Sequence, residues 1–147
     1  WMEDLRYLAV IAGAGGLTFL YTSVFRPPRQ SLEVADAFGL AVFSVVGARV
    51  ALDVGAPPVV IVIMSAATAT VGGMVRDVLC DETPLILRKE IYATAALAGG
   101  ALYLGLRALA LEEAVMMGVP IVTVAALRLA ALRWEVHLPS FQVSEAR

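Results

Sequence analysis

The sequence predicts an all-α membrane protein, built as a polytopic bundle of spanning helices. Of its 147 residues, 60% are hydrophobic and only 16% are charged, whereas about a quarter of the residues in a soluble domain are charged. The mean hydropathy of +0.82 is more apolar than one buried core requires. The apolar runs are also continuous, whereas the strands of a membrane barrel alternate between apolar and polar residues.

Five apolar stretches predict the helices in order along the chain. Each holds about 20 residues, which is enough to cross roughly 30 Å of hydrocarbon as a helix. Polar connections that carry charges and turn-forming residues separate them at 26–33, 53–58, 81–90 and 111–113. The predicted helices span residues 5–25, 34–54, 57–80, 91–110 and 114–134.

The basic residues fall unevenly on the two sides of the membrane once five crossings alternate. Lysine and arginine are enriched on the cytoplasmic side of membrane proteins. One side receives Arg26, Arg29, Arg76, Arg88, Lys89, Arg133 and Arg147, and the other receives Arg6, Arg49 and Arg107. This bias predicts an outer amino terminus and a cytoplasmic carboxyl terminus.

The first and fourth predicted helices share a pattern. Tyr7 is followed eight residues later by Gly15, and Tyr92 by Gly100, at an offset of 85 residues. Because three crossings separate the two starts, these helices would run in opposite directions, as in inverted-repeat transporters. Alternatively, spans rich in glycine and alanine resemble one another by composition alone. In either case the small residues indicate close helix contact.

The end of the third predicted helix holds the most informative cluster of residues. Gly72 and Gly73 are adjacent, and each glycine weakens a helix by about 1 kcal/mol relative to alanine. The pair predicts an interrupted helix whose freed peptide groups and neighbouring hydroxyls coordinate a small cation or a zwitterion. The alternative is a packing notch followed by an ordinary arginine at the cytoplasmic end. The hydroxyls before the pair and the charges after it are Ser65, Thr68, Thr70, Arg76 and Asp77.

Arg76 and Asp77 are neighbours in sequence, and side chains that face each other on a helix are three or four positions apart. We therefore expect each of them to find its partner elsewhere, or Asp77 to be solvated near the basic residues of the following loop.

Two further arginines lie inside predicted helices. Arg49 has Asp53 four residues later, so the two form either an interfacial pair or a secondary part of the site. Arg128 is expected to reach the inner headgroups; the alternative is that it faces the bundle and meets Asp36 or Asp77.

Other site chemistries have little support in the sequence. A net charge of −2 provides no basic stripe for nucleic acid. With the single cysteine Cys80 and the single histidine His137, no familiar metal or haem site can be built. We expect no cofactor, no catalytic residues and no enzyme activity. Tyr92 and Tyr103 are interpreted as interfacial or packing aromatics.

Three runs, together and in this order, resemble a known family. They are Asp-Ala-Phe-Gly-Leu-Ala-Val-Phe at 36–43 with Gly47-Ala48, Gly-Gly-Met-Val-Arg-Asp-Val-Leu at 72–79, and Pro-Leu-Ile-Leu-Arg-Lys-Glu-Ile-Tyr-Ala at 84–93. They resemble the second repeat of the bacterial glycine-transporter-domain proteins, which are prokaryotic relatives of the trimeric intracellular cation (TRIC) channels.

The resemblance implies a homotrimer in a bacterial inner membrane, with the amino terminus outside. Each subunit would have seven helices, in a 3+3+1 arrangement of two inverted three-helix repeats and a final helix, with a permeation pathway inside it. In the family a glycine triplet breaks the middle helix of each repeat, and a basic residue follows at the pathway. Gly72, Gly73 and Arg76 match this motif, whereas Val71 replaces the first glycine.

The resemblance also implies the domain organisation. Residues 1–30 would be the last helix of a first repeat with its loop, 31–110 the second repeat, and 111–147 the final helix and a cytoplasmic tail. The first two helices of the family have no counterpart in the sequence, so we expect a truncated or partial chain.

The leading functional hypothesis is a membrane permeation protein for a small solute or monovalent cation, such as glycine or potassium. The alternative is a truncated or structural membrane subunit without transport activity of its own. Expected partners are the lipid bilayer, the permeant species and further copies of the chain. The candidate pathway residues are Thr68, Thr70, Gly72, Gly73, Arg76 and Asp77, with Asp36, Arg49 and Arg128 as secondary candidates.

Overall fold

A computed structural model describes residues 5–25, 29–88, 90–109 and 111–134. The described residues contain six helices and no strands, which confirms the all-α class. Arg26, Lys89, His137, Arg147, the side chain of Tyr7 and the predicted tail beyond residue 134 lie outside the described part. The helices are α1 (Leu5–Val24), α2 (Arg29–Asp53), α3 (Pro58–Leu79), α4 (Leu85–Arg88), α5 (Glu90–Ala108) and α6 (Glu113–Trp134).

The five predicted helices correspond to α1, α2, α3, α5 and α6. Helix α2 begins at Arg29 instead of residue 34, because its polar first turn forms helix as readily as the apolar part that follows. The four-residue helix α4 lies in a segment predicted as a loop. Its first peptide N–H, that of Leu85, donates to Asp77 Oδ2 at 2.8 Å, and this bond satisfies a group that a helix start leaves open.

Three of the described helices are long and apolar enough to cross a membrane, over Gln30–Asp53, Pro58–Leu79 and Glu113–Trp134. The apolar part of α1, Leu8–Val24, is shorter, and α5 has 19 residues. Membrane crossing by α1 and α5 stays a prediction.

The chain divides into two units, Trp1–Leu32 and Glu33–Arg147. In the first unit, the hydroxyls of α1 bond back to their own helix: Thr18 Oγ1 donates to the Ala14 carbonyl at 2.8 Å, and Thr22 Oγ1 to the Thr18 carbonyl at 2.9 Å. These polar side chains are therefore satisfied without a partner from another helix.

In the second unit, α5 packs against both α3 and α6. Two apolar clusters fill the interior, and small residues are prominent in both, so the helices approach closely. The buried members of the first cluster are Leu40, Ala41, Ala69, Tyr92, Ala95, Ala96, Val124 and Ala125, and those of the second are Val45, Ala48, Ala51, Ile61 and Tyr103.

The glycine pair of α5 lies at the closest of these contacts. A Cβ on Gly99 would lie 2.6 Å from the hydroxyl of Ser44 on α2, and a Cβ on Gly100 would lie 2.6 Å from the Cβ of Ser65 on α3. Ser65 Oγ also donates to the carbonyl of Ala96 on α5 at 3.3 Å. The close contact that the sequence indicated for this helix is confirmed.

The predicted interruption of the third helix is wrong, because α3 continues without a break from Pro58 to Leu79. Gly72 and Gly73 are both helical. The propensity penalty of about 1 kcal/mol for each glycine is smaller than the cost of leaving peptide groups unbonded in an apolar environment. No carbonyl groups are released there for a permeant species.

The contact at Gly100 predicts a position-specific effect of alanine. Gly100→Ala is expected to lower the free energy of unfolding by about 1 to 3 kcal/mol, because the added methyl group forces α3 and α5 apart. Gly105→Ala, on the same helix, is the control, since its Cβ would meet nothing within 4 Å. Thermal unfolding in detergent measures both variants, and equal stabilities would contradict this packing.

Candidate functional site

Four side chains from three helices form what we call the charge cluster: Asp36 of α2, Arg76 and Asp77 of α3, and Tyr92 of α5. Asp77 and Tyr92 are buried, whereas Asp36 and Arg76 are partly buried. Arg76 Nη1 lies 2.7 Å from Asp36 Oδ1, and Arg76 Nη2 lies 2.7 Å from Asp77 Oδ1. Arg76 Nε donates to the same oxygen of Asp77 at 2.9 Å. One guanidinium thus bridges two carboxylates from neighbouring helices.

The expectation that Arg76 and Asp77 find partners elsewhere is confirmed for both, since Arg76 binds Asp36 and Asp77 accepts from Leu85, but the expectation that they do not pair with each other is wrong. The spacing rule describes where side chains leave the helix, but the long arginine side chain folds back so that its guanidinium reaches the short neighbouring carboxylate. Asp77 is not solvated either, because its side chain is only 6% exposed. Its second oxygen accepts the bond from the N–H of Leu85 described above.

Of the two alternatives for Tyr92, the packing one is confirmed and the interfacial one is wrong, because its ring lies in the first apolar cluster; its hydroxyl also joins the charge cluster. Its side chain is buried, and its hydroxyl donates to Asp36 Oδ1 at 3.3 Å. A Cβ on Gly73 would collide with this hydroxyl and would lie 3.1 Å from Asp36 Oδ1. Gly73 therefore provides space for the approach of Tyr92 and Asp36 to α3, whereas the sequence suggested a helix break.

Two features of the sequence could have identified Tyr92 as a site residue. Tyr92 is the position that repeats Tyr7, and it lies within the run 84–93 that carries the family resemblance. What the sequence did not show is that α5 turns this ring toward Asp36.

Arg128 lies in the interior of the bundle. Its side chain is fully buried, and its guanidinium carbon is 4.8 Å from the centre of the Tyr92 ring, a cation–π contact. The headgroup interpretation is wrong, because α6 carries this residue on the face that packs against α5. Within the described part of the chain, none of the three nitrogens of its guanidinium has a hydrogen-bond partner, and neither does Asp36 Oδ2.

Arg49 lies apart from the charge cluster. Its Nη2 is 2.6 Å from Glu113 Oε1, and its Nη1 is 3.3 Å from the sulfur of Met117. The expected pair with Asp53 is replaced by a bridge from α2 to α6, and both partners of this bridge are exposed. Exposed ion pairs of this kind contribute little to stability.

The remaining candidates from the sequence line α3 above the cluster. Thr70 is buried, and its hydroxyl bonds back to the Ala66 carbonyl at 2.9 Å. Thr68 lies against α2, where a Cβ on Gly47 would be 2.7 Å from Thr68 Cβ. Gly72 is exposed, and a Cβ there would meet nothing within 4 Å. Of the predicted residues, the structure thus brings together Asp36, Gly73, Arg76 and Asp77, with Arg128 adjoining through Tyr92.

A model of the family described as "Glycine transporter" matches residues 33–108, which include the whole charge cluster. The chain belongs to this family. The UPF0126 inner membrane protein YadS of Escherichia coli is 41% identical over 99% of the chain and 71% of its own length.

Solved structures of cation channels share the fold. The TRIC channel orthologue from Rhodobacter sphaeroides superposes with a TM-score of 0.84 at 38% identity, over 92% of this chain and 70% of the channel. A second TRIC cation channel gives a TM-score of 0.76 at 35% identity, over 88% of this chain and 64% of that one. This glycine transporter family chain therefore spans 64 to 71% of the length of these relatives.

The different surroundings of the two adjacent glycines of α3 predict different effects of alanine. Gly73→Ala is expected to lower the free energy of unfolding by about 1 to 3 kcal/mol, because its methyl group displaces the Tyr92 hydroxyl from Asp36. Gly72→Ala is the control and is expected to be neutral or slightly stabilising, by up to about 1 kcal/mol, because alanine favours helix more than glycine does.

Chemical or thermal unfolding in detergent measures the two variants. An equal loss of stability in both would indicate that the helix needs glycine for a break, and would contradict the close approach at Gly73.

Proposed function

We propose that the protein is an integral membrane permeation protein for small cations and that its pathway passes the charge cluster. The observation that carries this proposal is a group of charges inside an apolar helix bundle: Asp77 and Arg128 are buried, and Asp36 and Arg76 are partly buried beside them. Charged groups inside spanning helices are costly to insert, and where they occur they usually mark ion or substrate pathways.

A structural role alone accounts poorly for this arrangement. Replacing a whole buried ion pair with well-packed apolar residues is often neutral or stabilising, so stability alone is a weak reason for placing these charges inside the bundle. Asp36 Oδ2 is a buried acceptor without a hydrogen bond in the described residues, and carboxylate oxygens are the ligands that hard cations prefer. The charge cluster therefore suits a cation that is transiently bound.

The face of α3 that leads to Arg76 supports a route between α2 and α3. Thr68, Gly72 and Arg76 are spaced by four residues and so share one face of the helix. The two helices contact each other at Thr68 with Gly47 and again at Arg76 with Asp36. Gly72 lies between these two contacts with open space beside it. We place Thr68 and Gly72 along the pathway, and Asp36, Arg76 and Asp77 at its narrow end. Thr70 lies on another face of α3, where it is buried and bonded to its own helix, so it is not part of this route.

The two similar solved structures favour a cation as the permeant species, because both are described as TRIC cation channels. The assembly of this chain as a homotrimer, with the amino terminus outside and residues 31–110 as its second repeat, is part of the same proposal. The alternative of a structural subunit without transport is not favoured by these similarities.

Glycine transport is the second candidate function, and one observation favours it besides the description of the family model. A zwitterion needs both an acceptor for its ammonium group and donors for its carboxylate. Asp36 Oδ2 and the guanidinium of Arg128 are both buried and both without hydrogen-bond partners in the described part of the chain.

Reconstitution in liposomes tests the proposal. Unitary potassium currents are expected, whereas saturable glycine uptake without currents would favour the second candidate. If a folded preparation shows neither potassium currents nor glycine uptake, both candidate functions are refuted.

Asp36→Asn tests the place of the charge cluster in the pathway. Removing this negative charge while keeping the shape is expected to lower the potassium flux at least about tenfold, since Arg76 and Asp77 then neutralise each other and the cluster no longer has a net negative charge to attract a cation. Asp53→Asn is the matched control, because Asp53 is exposed at the other end of the same helix. Equal fluxes of the two variants, with folding confirmed by thermal unfolding, would place the pathway elsewhere.

A further inference from the structure

The buried guanidinium of Arg128 has no role in the cation pathway proposed above. It is fully buried on a helix that is long and apolar enough to span a membrane. Its contact with the ring of Tyr92 is the one polar interaction that its guanidinium makes with a described side chain at short range. A cation–π contact offsets only a small part of the desolvation of a buried guanidinium. Arg128 is therefore held in the interior by electrostatics over a longer range.

The charges of the cluster show what that longer-range interaction is. Asp36, Arg76 and Asp77 together carry a net charge of −1, because one guanidinium is shared by two carboxylates. Arg128 supplies the balancing positive charge from the opposite side of Tyr92, whose hydroxyl binds Asp36 and whose ring faces Arg128. Asp36 and Glu33 both interact electrostatically with Arg128. Arg128 thus offsets one negative charge of an acidic site without occupying its oxygens.

We propose that Arg128 is a specificity-determining residue that disfavours divalent cations at the charge cluster. This inference rests on the proposed function. The net negative charge of Asp36, Arg76 and Asp77 attracts any cation, and the attraction grows with the charge of the ion. The repulsion from Arg128 grows in the same proportion, and in a buried site it is weakly screened. With Arg128 in place the attraction is weakened for every ion, and a site with one open carboxylate oxygen and little excess negative charge does not hold a divalent ion tightly.

Removing the positive charge leaves Asp36, Arg76 and Asp77 with their full net negative charge, and the effect on a divalent ion is then twice that on a monovalent ion. The permeability to divalent ions is therefore expected to rise relative to the permeability to potassium. Arg128 is buried and its guanidinium makes no hydrogen bond within the described residues. Its effect on the permeability ratio therefore comes from its charge, and lysine, which carries the same charge, is expected to preserve the ratio.

The experiment measures reversal potentials of the reconstituted protein with potassium on one side and barium on the other. Arg128→Gln and Arg128→Met are each expected to raise the ratio of barium to potassium permeability at least about fivefold. Arg128→Lys keeps the charge and is expected to keep the ratio of the wild type. Arg133→Gln is the matched control, because it removes the same charge from an exposed position on the same helix.

The outcomes separate this inference from the proposed function. If the wild-type protein conducts no cation, the proposed function fails and the inference fails with it. If the wild type conducts but the neutral Arg128 variants keep its permeability ratio, the pathway stands and the role of Arg128 is refuted. An equal rise in Arg133→Gln would assign the effect to surface charge and would also overturn the inference. If neither neutral variant folds, Arg128 is a structural residue, and its role in ion specificity is overturned.

Discussion

The end of the bundle depends on one interaction, the bridge that Arg76 makes between Asp36 and Asp77. It joins α2 to α3, and the second oxygen of Asp77 fixes the start of α4 through the N–H of Leu85. Gly73 gives Asp36 and the Tyr92 hydroxyl room to approach α3. Each neighbouring element is therefore adapted to two carboxylates that an apolar bundle would otherwise exclude.

In the proposed function, the same bridge leaves part of the site able to bind an ion. A carboxylate that is fully committed to its partners has no capacity for a permeant species, but Asp36 uses only one oxygen for Arg76 and Tyr92. Two arginines lie near it, one bonded and one separated from it by the Tyr92 ring. The two carboxylates and the two arginines balance in charge, which in the proposed pathway lets an ion bind and leave without a large change in energy, as conduction requires.

The helical class and the approximate helix bounds follow from the sequence because long apolar runs and polar connections are local properties. The residues of the site were also identifiable: Asp36, Gly73, Arg76 and Asp77 were all candidates from the sequence. Their contacts were not. The bond between adjacent Arg76 and Asp77 depends on a side-chain path, the inward position of Arg128 on the rotation of α6, and the continuity of α3 on tertiary packing that outweighs glycine propensity.

The coupling between Asp36 and Arg76 is the most direct test of this account. A double-mutant cycle with Asp36→Asn and Arg76→Gln, measured as free energies of unfolding in detergent, isolates the interaction between the two side chains. A partly buried, hydrogen-bonded pair at the centre of the site predicts a favourable coupling of about 1 to 2 kcal/mol. Additive effects, with a coupling near zero, would show that the two groups do not meet in the folded protein and would contradict the account.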